Sequence, residues 1–236
     1  MKFLRFLLFP FAIIYDVVTT IRNFFFNVGV FKQTSFKTPI IVVGNLSVGG
    51  TGKTPMIEYL ITLLKDNFKI ATLSRGYKRE TSGFQLADEN ASATSIGDEP
   101  FQFYNKFKDD ILVTVDSDRR NGIENLQKHS NVPDIILLDD AFQHRSVKAG
   151  FNILLTTYSN PYFKDIVLPT GNLREPRNGA KRAHVIIVTK CPTKLSDNEK
   201  NQIVKQISPK DYQHVFFSTI AYSNEVISVK ATLKID

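Results

Sequence analysis

Residues 44–55 read GNLSVGGTGKTP, after the apolar run PIIVV and before the helical pattern MIEYLITLLKDN. Strand, glycine-rich turn and helix in that order are the context a phosphate-binding P-loop requires. Glycines let backbone N–H groups turn inward with no Cβ in the way, so the loop becomes a nest of donors around phosphate oxygens. The helix that follows adds its free N–H groups and the positive end of its dipole. The nucleotide-binding candidates are Ser47, Val48, Gly49, Gly50, Thr51, Gly52, Lys53 and Thr54. Lys53 is expected to reach the β- and γ-phosphates, and the Thr54 hydroxyl to be a Mg²⁺ ligand. The general pattern asks for glycine where this chain has Ser47, and a serine can still adopt the turn. Pro55 falls in the first helical turn, where a missing N–H costs little. The plain alternative is a glycine-rich strand-to-helix turn with no ligand.

Outward from the loop, KIATLS, ILVTV, DIILLDD, FNILLTT, VIIVTK and HVFFST read as short apolar strands. GDEPFQFYNKFK, SDRRNGIENLQKH and residues 196–207 read as helices, and the polar residues 79–96 as a loop or small excursion. Apolar strands alternating with amphipathic helices predict an α/β fold of P-loop NTPase type, a mainly parallel sheet covered by helices. Ligands of such sheets lie beyond the carboxyl ends of the strands. The polar residues expected on that edge are Ser74, Arg75, Asp116, Asp118, Asp139, Asp140, Thr189 and Lys190.

DIILLDD has the form of a Walker B strand, which carries an acid to the magnesium shell. Successive side chains alternate in direction, so one of Asp139 and Asp140 faces the ion and the other serves a second partner. A pair of solvated carboxylates is the alternative. Asp98, at the start of a predicted helix, is either an N-cap or the base that accepts a hydroxyl proton during phosphoryl transfer. LPTGNLREPRNGAKRAH carries a basic, turn-rich segment able to neutralise a phosphoryl group or hold an anionic substrate, unless it is an exposed basic loop. No base-reading residue is evident beyond a contribution from Thr189 and Lys190, so GTP is not excluded.

The chain has 236 residues, 42% of them hydrophobic and 22% charged, an ordinary globular composition. Its one cysteine, Cys191, follows an apolar strand and reads as packing in a reducing compartment. Net charge is +7, and residues 1–37 hold five basic side chains against one acid. The same segment is the richest in phenylalanine. A secretory signal lacks its cleavage site here. A spanning helix needs about 20 apolar residues, whereas the run Phe6–Tyr15 is short and contains Pro10. The favoured reading is a helix lying in a membrane interface, with aromatic and aliphatic side chains in the acyl boundary and basic ones toward anionic headgroups. A helix buried on the domain is the alternative. The basic residues beyond residue 37 form no stripe with interleaved aromatics, so no nucleic acid is expected.

GNLSVGGTGKTP, SRGYKR, GDEP, LLDDAFQHR, LPTGNLREP and VTKCP occur together in the order of one family. The chain resembles the tetraacyldisaccharide 4'-kinases, the lipid A 4'-kinases of Gram-negative bacteria, from its hydrophobic N-terminus to about residue 220. The resemblance implies transfer of the γ-phosphate of ATP, with Mg²⁺, to the 4'-hydroxyl of a lipid A disaccharide precursor. It places this at the cytoplasmic face of the inner membrane, whose anionic surface is the second expected partner; no obligate protein partner is expected. It implies Asp98 as catalytic base with Lys53 and Arg174 assisting, and Thr54, Asp139, Asp140 and Glu175 at the metal. Gln143 and His144 have supporting roles. The implied organisation is a docking segment over 1–37, a kinase core over 38–220 and the start of a C-terminal lobe over 221–236. Family members run further, into a lobe with an Asp-His-His motif whose histidine pairs with the catalytic aspartate. Here no two histidines are adjacent, so the expectation is a fragment or a site lacking that part.

Overall fold

The structure, a computed structural model, describes residues 5–221 and the short strands Glu225–Ile227 and Thr232–Lys234. Its core is an eight-stranded sheet: β1 (Ile40–Asn45), β2 (Ile70–Ser74), β3 (Gln85–Leu86), β4 (Ile111–Val115), β5 (Ile135–Asp139), β6 (Phe151–Thr157), β7 (Val185–Thr189) and β8 (His214–Phe217). The spatial order is β3-β4-β2-β5-β1-β6-β7-β8. Every neighbouring pair is parallel except β3 with β4. The two C-terminal strands, β9 (Glu225–Ile227) and β10 (Thr232–Lys234), form a separate antiparallel pair.

Alternation along each strand feeds two cores. Ile136 and Leu138 of β5 enter one hydrophobic cluster, with Ile123 and Leu126; Ile135 and Leu137 enter the other, with Ile57, Ile61 and Phe103. The first pair of helical residues belongs to α5 (Arg119–Lys128) and the second set to α2 (Lys53–Leu64) and α4 (Asp98–Phe107), so helices cover both faces. A strand buried on both sides cannot show polar alternation, which is why these strands read as continuous apolar runs. The polar excursion over 79–96 holds β3 and a one-turn helix, α3 (Ala93–Ile96), started by a reciprocal capping box between Ser92 and Ser95. Those serines signal a helix start that composition alone hides. The last helix of the main body is α6 (Asp197–Ile207).

β1 lies at the centre, with β5 on one side and β6 on the other. Its register pairs Val43 with Asp139, so the glycine-rich loop leaves β1 beside the carboxylates that end β5. Gly44 permits this closeness, because a Cβ there would lie 2.7 Å from the Cβ of Phe142.

Among the described residues, the N-terminal segment holds the helix α1 (Phe9–Asn27), with Pro10 in its first turn. Proline is tolerated there because that N–H has no helical partner, so it starts the helix instead of breaking it. Ala12, Tyr15, Thr19, Arg22, Asn23 and Phe26 recur at helical spacing, and Ala12 is buried. Polar pins fix this face to the body. Tyr15 donates to the Arg174 carbonyl at 2.8 Å, Arg22 to the Gln143 carbonyl at 2.9 Å and Asn23 to Glu175 Oε2 at 2.8 Å. Arg145 donates back to the Asn23 carbonyl and Asn27 Oδ1, both at 2.8 Å, with its guanidinium over the Phe26 ring. Arg5, ahead of the helix, donates to the Gly171 carbonyl at 2.6 Å and to Asn172. The opposite face leaves Phe11, Ile14, Val18, Ile21 and Phe24 exposed.

Candidate active site

The phosphate loop is built as its residue types require. Gly49 and Gly52 have φ of +110° and +89°, values that side-chain-bearing residues rarely adopt, and Gly52 is the N-cap of α2. Ser47 keeps a negative φ. It forms an isolated antiparallel bridge with Leu173, so glycine is not needed there. In this bridge the Val48 N–H donates to the Asn172 carbonyl at 2.8 Å. The Val48 amide, expected among the phosphate donors, is thus already paired here, and its side chain lines the cavity below. No acceptor is found among the described residues for the N–H groups of Gly49 to Thr54.

Lys53 opens α2 and turns its Nζ to within 3.7 Å of Asp140 Oδ1. Asp140 has φ of +47°, a conformation aspartate tolerates better than most residues. Arg174 Nη1 meets its carboxylate at 2.9 and 3.0 Å. Asp139 is buried; its Oδ2 accepts from Ser74 Oγ at 3.4 Å, while its buried Oδ1 has no partner. Burial, with Glu99 and Asp140 nearby, pushes its carboxyl up to about 7. An orphaned, buried carboxylate oxygen beside a phosphate loop fits a Mg²⁺ shell, which needs one or two protein oxygens and fills the rest with phosphate and water. No group of three or more His, Cys, Asp or Glu able to hold a metal ion is found among the described residues.

Glu175 is placed differently from expectation. It is 1% exposed, and its oxygens accept from Asn23 at 2.8 Å, Gln143 at 2.9 Å and Arg182 at 2.7 Å. It does not line the cavity. Its carboxylate would reach a cation only by giving up these donors, and its place here is as the buried anion that ties α1 to the LREP segment.

Lys53, Asp98, Arg119, Asp139, Asp140 and Arg174 are among the walls of one cavity of about 1010 Å³. Asp98 is the first residue within α4; the N-cap is Gly97, and the Asp98 side chain is exposed and makes no capping bond. The capping alternative therefore fails. The carboxylates at 116 and 118 do serve as structure, Asp116 holding the Asn121 side chain and Asp118 capping α5.

The family model for tetraacyldisaccharide-1-P 4'-kinase matches residues 4–231. The chain belongs to this family. It is 57% identical over 226 residues to the tetraacyldisaccharide 4'-kinase of Flavobacterium johnsoniae, covering 96% of this chain and 66% of that protein. With the tetraacyldisaccharide 4'-kinase of Flavobacterium psychrophilum it shares 55% identity over 238 residues, covering 100% of this chain and 69% of that one. The chain thus spans about two thirds of the length of these relatives. The crystal structure of "apo" form LpxK from Aquifex aeolicus in complex with ATP superposes with a TM-score of 0.72 at 31% identity, covering 91% of this chain and 81% of that one.

In this member of the tetraacyldisaccharide 4'-kinase family the cavity also holds groups that strand ends and motifs do not flag. Tyr15, Thr19 and Arg22 of α1 form one wall. Glu99 places Oε1 3.5 Å from Thr54 Oγ1. Arg119 is buried, donates to the Asp116 carbonyl at 2.6 Å and leaves Nε without a partner. Burial leads the fall of its guanidinium to about 10. The helical pattern of residues 117–129 gives no sign of this, since a basic residue at a helix start normally faces water. His144, which the LLDDAFQHR block did flag for a supporting role, lines the cavity as well; burial and then the Arg119 charge push its imidazole down to about 4, so it is neutral at pH 7.

Proposed function

We propose that this chain binds ATP with Mg²⁺ and transfers the γ-phosphate to the 4'-hydroxyl of a tetraacylated glucosamine disaccharide 1-phosphate, the lipid A precursor step that yields lipid IVA. The observation that carries this is the convergence on one cavity of Lys53, two carboxylates at the end of β5, Arg174 and the exposed Asp98, with α1 as a wall, while the amides of Gly49 to Thr54 in the adjoining loop have no acceptor among the described residues. The ATP-bound relative and the family assignment support the same reading.

In it, the amides of Gly49 to Thr54 bind the phosphates. Lys53 exchanges its Asp140 partner for the β- and γ-phosphates. Thr54 and Asp139 would hold Mg²⁺, which when bound would supply positive charge against the phosphates. Asp140 is the anchor of Lys53 and Arg174, and Arg174 stabilises the charge developing on the phosphoryl group. Asp98, solvent-accessible and unpaired with any cap, accepts the proton of the attacking 4'-hydroxyl.

The exposed apolar face of α1 docks on the cytoplasmic face of the bacterial inner membrane, next to the acyl chains of the acceptor. The helix has 19 residues and is long and apolar enough to cross a bilayer by length and composition. Its pinned polar face favours lying along the surface. In this division residues 1–37 are the docking segment, 38–220 the kinase core and 221–236 the start of a C-terminal lobe.

Incubation with radiolabelled ATP and the disaccharide 1-phosphate tests the reading. It expects a labelled lipid that disappears in Lys53→Ala and Asp98→Asn. Hydrolysis of ATP with no labelled lipid would overturn the acceptor assignment.

A further inference from the structure

The back of the phosphate loop is gripped by the turn that ends β7. Thr189 Oγ1 donates to the Thr51 carbonyl at 2.8 Å, the nearer of two acceptors, with the Thr156 carbonyl at 3.2 Å, and Lys190 Nζ donates to the Gly50 carbonyl at 2.7 Å. Thr189 is buried, whereas the Lys190 side chain is exposed and its backbone has φ of +56°, left-handed and unfavourable for lysine. Fixed neighbours hold that conformation. The Thr189 carbonyl accepts from Tyr158 N at 2.9 Å, and the N–H of the buried Cys191 donates to the Ser218 carbonyl at 2.9 Å. A strained residue held by its surroundings, with its side chain spent on one loop carbonyl, calls for a functional explanation.

Peptide geometry supplies it. In a planar trans peptide the carbonyl of one residue and the N–H of the next point in opposite directions. Fastening the Gly50 carbonyl outward therefore aims the Thr51 N–H inward, and fastening the Thr51 carbonyl does the same for the Gly52 N–H. Neither N–H has an acceptor among the described residues. The opposite flank of the loop is fixed through the bridge between Ser47 and Leu173, leaving the glycine-rich middle to be set from the β7 side.

We infer that Thr189 and Lys190 are positioning residues of the nucleotide loop: each holds one outward carbonyl and so presets the next amide for a phosphate oxygen. This rests on the reading of residues 47–54 as the nucleotide loop. It replaces base reading as the role of this pair, because both side chains are spent on the back of the loop. The expected dependence is on phosphate, not on base.

The test is equilibrium binding of fluorescent ATP and GTP analogues with Mg²⁺ to the full chain, with melting temperature measured on the same samples. Lys190→Met and Thr189→Val should each weaken both analogues by about 10-fold, because each removes one hydrogen bond to a loop carbonyl. Lys190→Arg, which can still donate to the carbonyl, and Thr189→Ser, which keeps the hydroxyl, should bind like the unaltered chain. The ratio of ATP to GTP affinity should stay constant throughout. Thr189→Val changes no charge, so weaker binding there separates the clasp from simple attraction of an anion to Lys190. Unchanged affinity in both Lys190→Met and Thr189→Val, or weakening confined to one base, overturns the inference while leaving the loop assignment standing. Failure of the unaltered chain to bind either analogue overturns both.

Discussion

Arg174 and Asp140 close on each other across the cavity, one guanidinium nitrogen lying 2.9 Å from Oδ1 and 3.0 Å from Oδ2, with Lys53 3.7 Å from the same carboxylate. Two cations that the proposed chemistry needs are thus held on one aspartate, and entry of a triphosphate gives both a stronger partner. Arg174→Lys keeps the charge but loses the planar fork. Phosphate transfer should fall by about 10²–10³-fold in kcat, the scale of removing one preorganised donor, with a smaller change in KM for ATP. Steady-state kinetics with the lipid acceptor measure this, and an unchanged kcat would remove Arg174 from the mechanism.

Asn23 and Glu175 join α1 to the LREP segment through a buried hydrogen bond of 2.8 Å. Asn23→Ala leaves Glu175 with one donor fewer in a buried site, which should cost about 1–3 kcal/mol. Asn23→Asp should cost more, since it brings a second carboxylate to the same place. Urea denaturation of both variants gives the order, and equal stabilities would show that this pin carries no weight.

Much of this is legible in the sequence for a plain reason. The loop, the apolar strands and the Asp139–Asp140 pair are local patterns, and local patterns survive in one dimension. What is not legible depends on distant partners. Glu175 belongs to a conspicuous LREP block and is expected on the metal from that block alone, but its donors come from residues 23, 143 and 182. The Val48 amide is taken by Asn172. Pro10 invites a general rule about helix interiors, whereas the helix begins just before it. Arg119 is a surface residue by composition but is buried here, donating to the carbonyls of Asp116, after β4, and Asp139, at the end of β5.

His144 gives the fold a pH dependence. Its imidazole titrates near 4 when folded, because of burial and then Arg119, against about 6.5 when unfolded. Between these values the unfolded chain binds more protons, so stability should fall as pH drops from about 6.5 toward 4. Replacing His144 with Gln removes this component. The urea midpoint should then change less between about pH 7.5 and pH 5 than in the unaltered chain. Identical pH dependence would contradict the burial argument.

Phe11, Ile14 and Val18 are each about 60% exposed and share one helical face. Changing all three to Asp should abolish sedimentation with anionic vesicles, because the apolar surface is replaced by charges facing acidic headgroups. Nucleotide affinity should not change, as none of the three lines the cavity. Retained vesicle binding would sink the docking role of α1.

The nucleotide loop itself is open to direct observation through the backbone amide resonances of Gly49 to Lys53, recorded in bicelles as Mg²⁺ and ATP are added. Hydrogen bonding to phosphate predicts large shifts at these amides, little change at Val48, whose N–H is already committed to Asn172, and loss of the shifts in Lys53→Ala. Shifts confined to other parts of the sheet, with Gly49 to Lys53 unmoved, would contradict the account.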